Sequence, residues 1–97
     1  MIYARLNYPD HYSDHHDAIV SCLTSKFAQI EHGHQGDSWV WVFSGDEKVA
    51  IDTFYAMQHE VKSESGDLVF IRTVIATLAK DFDVIVYEEP ALEPHED

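Results

Sequence analysis

The chain has 97 residues, of which 45% are hydrophobic, and its eighteen acidic and six basic side chains give a net charge of −12. This length suits one domain, and the hydrophobic fraction excludes disorder along the whole chain. The sequence has neither the roughly 18-residue apolar run of a membrane helix nor the basic-then-apolar pattern of a signal peptide. We therefore expect a cytoplasmic protein that does not bind membranes.

The negative charge is concentrated in the second part of the chain. Residues 1–36 hold four acids and two bases, a net of −2, whereas residues 37–97 hold fourteen acids and four bases, a net of −10. Such a surface repels phosphate backbones, because nucleic-acid affinity depends largely on Lys and Arg. It attracts a basic protein. The composition therefore argues against nucleic acid and predicts a basic protein partner, and the alternative is that the negative charge only keeps a small protein soluble.

The first predicted elements are a strand, a helix and a hairpin. Residues 1–8 alternate apolar and polar side chains with the period of a half-buried strand. Residues 14–28 place apolar side chains at helical spacing. Residues 29–34 and 38–44, joined by the turn at 35–37, predict a β-hairpin. The strand at 38–44 is apolar on both faces, which is typical of a strand inside a sheet or one covered by another subunit.

The remaining elements are predicted from caps and spacing. Ser44 to Glu47 matches a capping box, which predicts a helix over residues 46–64, ended by Gly66. Residues 68–82 keep helical spacing for longer than a strand usually runs, so they predict a helix despite their β-branched composition. Residues 83–88 form the last predicted strand, which stops at Pro90.

This order, β-α-β-β-α-(α)-β, predicts an α+β fold of the ferredoxin-like, split βαβ type. A four-stranded antiparallel sheet would carry its helices on one face and leave the other face open. We expect one domain over residues 1–90, followed by a flexible acidic tail at 91–97.

The open sheet face is the first candidate site, with aromatic side chains and one arginine as its expected residues. We place Trp39 and Trp41 outward with Tyr3 and Arg5, although the reverse assignment of the tryptophans remains open. Such a face suits a homodimer interface or a planar or cationic small-molecule ligand. A tryptophan that simply fills the core is the structural alternative. The candidate ligand or partner residues are Tyr3, Arg5, Trp39, Trp41 and Tyr87.

The histidines are the second candidate site. His32 and His34 are two residues apart on a predicted strand, so both rings point the same way toward a possible metal ion. The sequence contains no HExxH, CxxC, GxSxG or phosphate-binding glycine motif. The lone Cys22 lies among apolar residues and is expected to be buried and inert. We therefore expect no catalytic residues and no cofactor, and solvent-facing histidines are the alternative to a metal site.

Together these patterns predict a small acidic, non-enzymatic binding module that is dimeric through its open sheet face and engages a basic protein partner. A regulatory domain that binds a small molecule at the aromatic face or in the dimer cleft is the main alternative. A small enzyme or metalloprotein using His32 and His34 is the third hypothesis.

Overall fold

A computed structural model describes residues 1–64 and 67–94. It contains two α-helices, one 3₁₀ turn and six strands. In chain order these are β1 (Ile2–Asn7), a 3₁₀ turn (Tyr12–Asp14), α1 (His16–Thr24), β2 (Ile30–Gln35), β3 (Asp37–Ser44), β4 (Glu47–Asp52), β5 (Glu60–Lys62), α2 (Leu68–Leu78) and β6 (Asp83–Ala91). The α+β class and the β2–β3 hairpin are confirmed, and residues 68–82 do contain a helix.

The sheet differs from the predicted four-stranded ferredoxin-like arrangement. It has six strands in the order β2-β3-β4-β5-β1-β6, and every neighbouring pair is antiparallel. The additional strands are β4 and β5, which occupy the stretch where the sequence predicted a helix over residues 46–64. That prediction is wrong, and β4 and β5 now lie between β3 and β1. The predicted end of that helix at Gly66 lies outside the described residues.

Residues 46–64 match both the period of a helix and, at 47–52, the period of a strand, and the structure forms the strand. Val49 and Ile51 are fully buried beneath the helices, whereas Lys48 before them is exposed and Ala50 between them is half-buried, which is the alternation of a strand. The segment that resembles a capping box is the turn of the β3–β4 hairpin, where Ser44 pairs with Glu47. Gly45 has φ +58°, as expected for glycine at the first central position of a type II′ hairpin turn.

Both helices pack on one face of the sheet and complete a single core. Asp67 caps α2 by accepting a hydrogen bond from the backbone N–H of Phe70 at 3.2 Å. The buried core side chains come from the strands (Ala4, Leu6, Val40, Val42, Val49, Ile51, Val61) and from the helices (Ile19, Cys22, Leu23, Phe70, Ile71, Val74, Leu78). Burial raises the pKa of the Cys22 thiol to about 11, so this side chain packs as a protonated thiol.

The C-terminal strand runs past the predicted stop. β6 continues through Pro90 to Ala91, which an edge strand tolerates because one row of its N–H groups needs no partner. Glu93 beyond it is buried and lies 3.5 Å from the N-terminal ammonium. Within the described ranges, neither helix is long and apolar enough to cross a membrane.

Candidate functional site

The two tryptophans of β3 lie on the sheet face opposite the helices, which we call the open face. Val40 and Val42 of the same strand are fully buried under the helices, whereas Trp39 and Trp41 are half-buried. The two indole rings lie 4.4 Å apart between centroids. The ammonium of Lys48 lies 4.3 Å from the centroid of Trp41, which is a cation–π distance. The open face therefore already holds a cation against an aromatic ring.

Gly33 of β2 makes room for this row of rings. It is paired with Trp39 across the hairpin, and a Cβ at position 33 would lie 2.5 Å from Nε1 and Cε2 of that indole. We expect Gly33→Ala to displace the Trp39 ring, to change the near-UV circular dichroism of the tryptophan pair and to cost about 1 kcal/mol of stability. Gln35→Ala, at an exposed position of the same strand, should leave both unchanged. An unaltered near-UV spectrum in Gly33→Ala would contradict this packing.

Beside the tryptophans, the open face holds a cavity of about 540 Å³. We call it the open-face cup and define it by Trp41, Asp52, Phe54, Tyr55 and Lys62, all of which line it. Phe54 and Tyr55 come from the segment between β4 and β5 and are 43% and 57% exposed. The cup thus joins aromatic rings to charged groups on the sheet.

Lys62 forms the charged floor of the open-face cup. Its ammonium is 2.6 Å from Asp52 Oδ1 and 3.7 Å from a carboxylate oxygen of each of Glu60 and Glu93. The same ammonium lies 5.1 Å from the ring centroid of Tyr55. Only 3% of Lys62 is exposed, so the ion pair with Asp52 is a buried one. One lysine against three carboxylates leaves the floor negative.

Burial also acts on Glu60. Desolvation raises the pKa of its carboxyl, and the attraction of Lys62 only partly opposes this effect. Glu60 Oε1 has no hydrogen-bond partner among the described residues. This carboxyl is near Lys62 on one side and also lines a second cavity, together with Arg5, Met57 and Gln58 among others.

The other predicted face residues lie away from the tryptophans. Arg5 is half-buried, pairs with Ile85 across the β1–β6 ladder, and donates a hydrogen bond to Gln58 Oε1 at 2.9 Å. Tyr3 is half-buried at an irregularity in the pairing of β1 and packs against the core, so the prediction that it faces outward is not supported. Tyr87 is half-buried on β6. Because β4 and β5 intervene, Arg5 on β1 lies three strand spacings from Trp39 and Trp41, roughly 14 Å, and Tyr87 on β6 lies four spacings away, roughly 19 Å. The structure thus divides the predicted face into two regions.

A second cluster, the histidine chain, runs through the interior on the helix side of the sheet. It is a continuous series of hydrogen bonds through Tyr8, His59, Ser38, His16 and His32. Tyr8 Oη lies 2.6 Å from His59 Nδ1, and Ser38 Oγ lies 2.7 Å from His59 Nε2 and 2.6 Å from His16 Nδ1. His16 Nε2 lies 3.1 Å from His32 Nδ1. His59 and Ser38 are fully buried, whereas His32 is exposed, so the chain connects the interior to the surface.

The proposed metal ligands belong to the surface end of this chain. His32 and His34 both face α1, where the ring of His34 stacks on His16 with centroids 4.8 Å apart. In residues 1–64 and 67–94, no three His, Cys, Asp or Glu side chains converge on a position that would hold a metal ion. Instead, His34 stacks on His16, and His32 forms a hydrogen bond with it.

Burial keeps the imidazoles of His59 and His16 neutral. Desolvation, assisted by the nearby His16, lowers the pKa of His59 to about 3. Desolvation and the neighbouring His34 and His32 lower the pKa of His16 as well, although Asp17 opposes that shift. Desolvation raises the pKa of the Tyr8 hydroxyl. Every member with a shifted pKa is therefore held in its uncharged form.

Sequence reasoning missed Ser38, His59 and Lys62. The wrongly predicted helix over 46–64 includes both His59 and Lys62, and the sequence predicts for Ser38 only the start of a strand. The available signal was the alternation of Lys48, Ala50 and Asp52 with buried valine and isoleucine, which places Asp52 on the open face.

No protein-family description, curated protein or solved structure matches this chain. Function is therefore inferred from the geometry of the open-face cup and the histidine chain.

Proposed function

We propose that the protein is a non-enzymatic binding module whose open-face cup receives a lysine or arginine side chain from a basic segment of a partner protein. The observation that carries this proposal is the cup itself, where exposed aromatic rings adjoin an excess of carboxylates in a chain of net charge −12. Aromatic faces attract ammonium and guanidinium groups, and the surrounding negative field steers a basic partner toward them.

The charges around the cup favour a cation. Four acids and two lysines line the cavity, which gives a net of −2. Both lysines are already engaged, Lys62 with Asp52 and Lys48 with the ring of Trp41. Asp46 and Glu64 at the rim are exposed, so they are available to pair with an incoming cation.

The same charges disfavour a second copy of the chain as the occupant. A face-to-face homodimer would bring together two chains of net charge −12 and two negative cups, and juxtaposed like charges oppose association. A basic partner has the opposite effect on the same groups. We therefore favour the partner protein over the open-face dimer, and the mass of the complex distinguishes them.

A small cationic molecule is the second candidate ligand for this site. The cavity of about 540 Å³ falls within the size range of small-molecule pockets. The rings of Trp41, Phe54 and Tyr55 would stack on such a ligand. This candidate predicts binding of free ammonium or guanidinium compounds as tight as that of a peptide.

Binding of a synthetic arginine- and lysine-rich peptide, followed by tryptophan fluorescence, tests the proposal. We expect Asp46→Asn/Glu64→Gln to weaken peptide binding by roughly threefold to tenfold, because each rim pair contributes modestly. The control pair Asp14→Asn/Asp17→Asn removes the same charge from exposed positions in the 3₁₀ turn and the first turn of α1 and should change affinity by less than about twofold. Affinity that is insensitive to salt, or equal losses in the two double variants, would contradict the proposal.

A further inference from the structure

The histidine chain has a single direction in which every hydrogen bond is satisfied. Tyr8 Oη accepts the backbone N–H of His59 at 3.0 Å and also lies 2.6 Å from Nδ1 of that ring. If Tyr8 accepted both, its own proton would have no acceptor among the described residues. Tyr8 therefore donates to His59 Nδ1, so that His59 Nε2–H donates to Ser38 Oγ. Ser38 in turn donates to His16 Nδ1, and His16 Nε2–H donates to His32.

This direction requires a neutral His59 and a neutral His16. A proton added to His16 Nδ1 would face the Ser38 hydroxyl as a second donor. Ser38 would then have to donate to His59 Nε2, whose remaining proton would move to Nδ1 and face Tyr8. Tyr8 would be left with a buried, unpaired hydroxyl proton, which is costly. Protonation at one point therefore disturbs the whole chain.

The same chain fastens the segment that carries the rings of the open-face cup. Thr53 begins this segment, and its backbone N–H donates to Ser38 O at 3.1 Å while its hydroxyl accepts from the Ser38 N–H at 3.1 Å. At the other end, His59 bonds to Ser38 Oγ, and Gln58 Nε2 donates to Tyr8 O at 2.8 Å. Phe54 and Tyr55 lie between these attachment points, so both ends of the segment depend on Ser38 or its partners.

We propose that the histidine chain makes the open-face cup sensitive to pH: protonation of its buried histidines loosens residues 53–59 and weakens ligand binding under acidic conditions. This inference rests on the proposed function, because it concerns regulation of the same cup. The titratable or charged groups that face the chain come from β1 and the following segment, α1 and β2 (Tyr8, His15, His16, Asp17, His32, His34). Asp10 lies 3.4 Å from His15 at the edge of this group.

The test compares wild type with His16→Gln/His59→Gln at about pH 7.5 and about pH 4.5, because the lowered pKa values of His16 and His59 place their protonation below the usual histidine range. Glutamine keeps one donor and one acceptor at each position but does not take up a proton. The measurements are affinity for the arginine- and lysine-rich peptide and hydrogen exchange of residues 54–58, corrected for the intrinsic effect of pH. His11→Gln, at an exposed position outside the chain, is the control.

We expect acid to weaken peptide binding in wild type and in His11→Gln, and to weaken it roughly tenfold less in the double variant. Tenfold corresponds to the loss of about one buried hydrogen bond on protonation. Exchange of residues 54–58 should rise in those two proteins and not in the double variant. The rise in surface charge, and any titration of Glu60, is common to all three proteins. Equal acid weakening in all three overturns this inference and leaves the proposed function standing, whereas wild type that binds no peptide at either pH overturns both.

Discussion

Lys62→Met is expected to lower the free energy of unfolding by about 3–5 kcal/mol, the usual effect of removing one partner of a buried ion pair. The substitution leaves Asp52 and two further carboxylates, Glu60 and Glu93, around an uncharged side chain. These groups then lack their common counter-ion in a region that is largely shielded from water. Urea denaturation at neutral pH, read by tryptophan fluorescence, measures the change.

Two further variants separate the ion pair from other effects. Lys48→Met removes an exposed lysine of the same open face and should cost less than about 1 kcal/mol. Asp52→Asn/Lys62→Met removes one carboxylate with the lysine and should recover part of the loss. A Lys62→Met protein as stable as Lys48→Met would show that the ion pair with Asp52 does not stabilise the fold.

The second large effect is a loss of stability in acid that depends on His59. Its pKa is lowered to about 3 in the folded protein but is about 6.5 in an unfolded chain. Between these values the unfolded state binds the extra proton, so the free energy of unfolding falls as the pH falls. The full contribution of neutral His59 is present above about pH 6.5. By about pH 3 the loss reaches roughly 5 kcal/mol, at 1.36 kcal/mol per pKa unit.

His59→Gln should remove most of this slope, while His11→Gln should keep it. The raised pKa of Glu60 acts with the opposite sign, because the folded state then holds a proton that the unfolded state has released. That contribution is present in all three proteins and cancels in the comparison. Parallel stability curves for wild type and His59→Gln between about pH 7 and pH 4 would contradict a buried neutral imidazole at position 59.

The elements that were predicted correctly have local causes. The β2–β3 hairpin follows from two short strand-forming runs around Gly36, and α2 follows from its cap at Asp67 and its sustained helical spacing. The prediction of a helix over residues 46–64 is wrong. It depends on a helical spacing that arises by coincidence among Ala50, Phe54, Met57 and Val61. Phe54 and Met57 are exposed on a connecting segment rather than aligned on one helix face. Residues 47–52 form a strand because they pair with β3 and β5 in the folded sheet. A short stretch of sequence does not reveal these contacts.

The candidate site was predicted in part for the same reason. An aromatic open face follows from alternation along β3, but the distance between Trp41 and Arg5 depends on how many strands separate them. Ser38 meets His16 and His59 across 22 and 21 residues of sequence. Contacts of this kind arise from the tertiary fold, and neither spacing nor composition predicts them.

Chemical-shift mapping of the two tryptophan indole N–H groups most directly tests the claim that the open face is the binding surface. On addition of the arginine- and lysine-rich peptide, we predict that the Trp41 signal moves in a saturable way. The backbone amides of α2 residues Val69 and Arg72, on the opposite side of the sheet, should remain in place. Shifts confined to α2, with both indole signals unchanged at saturating peptide, would contradict a binding site on the open face.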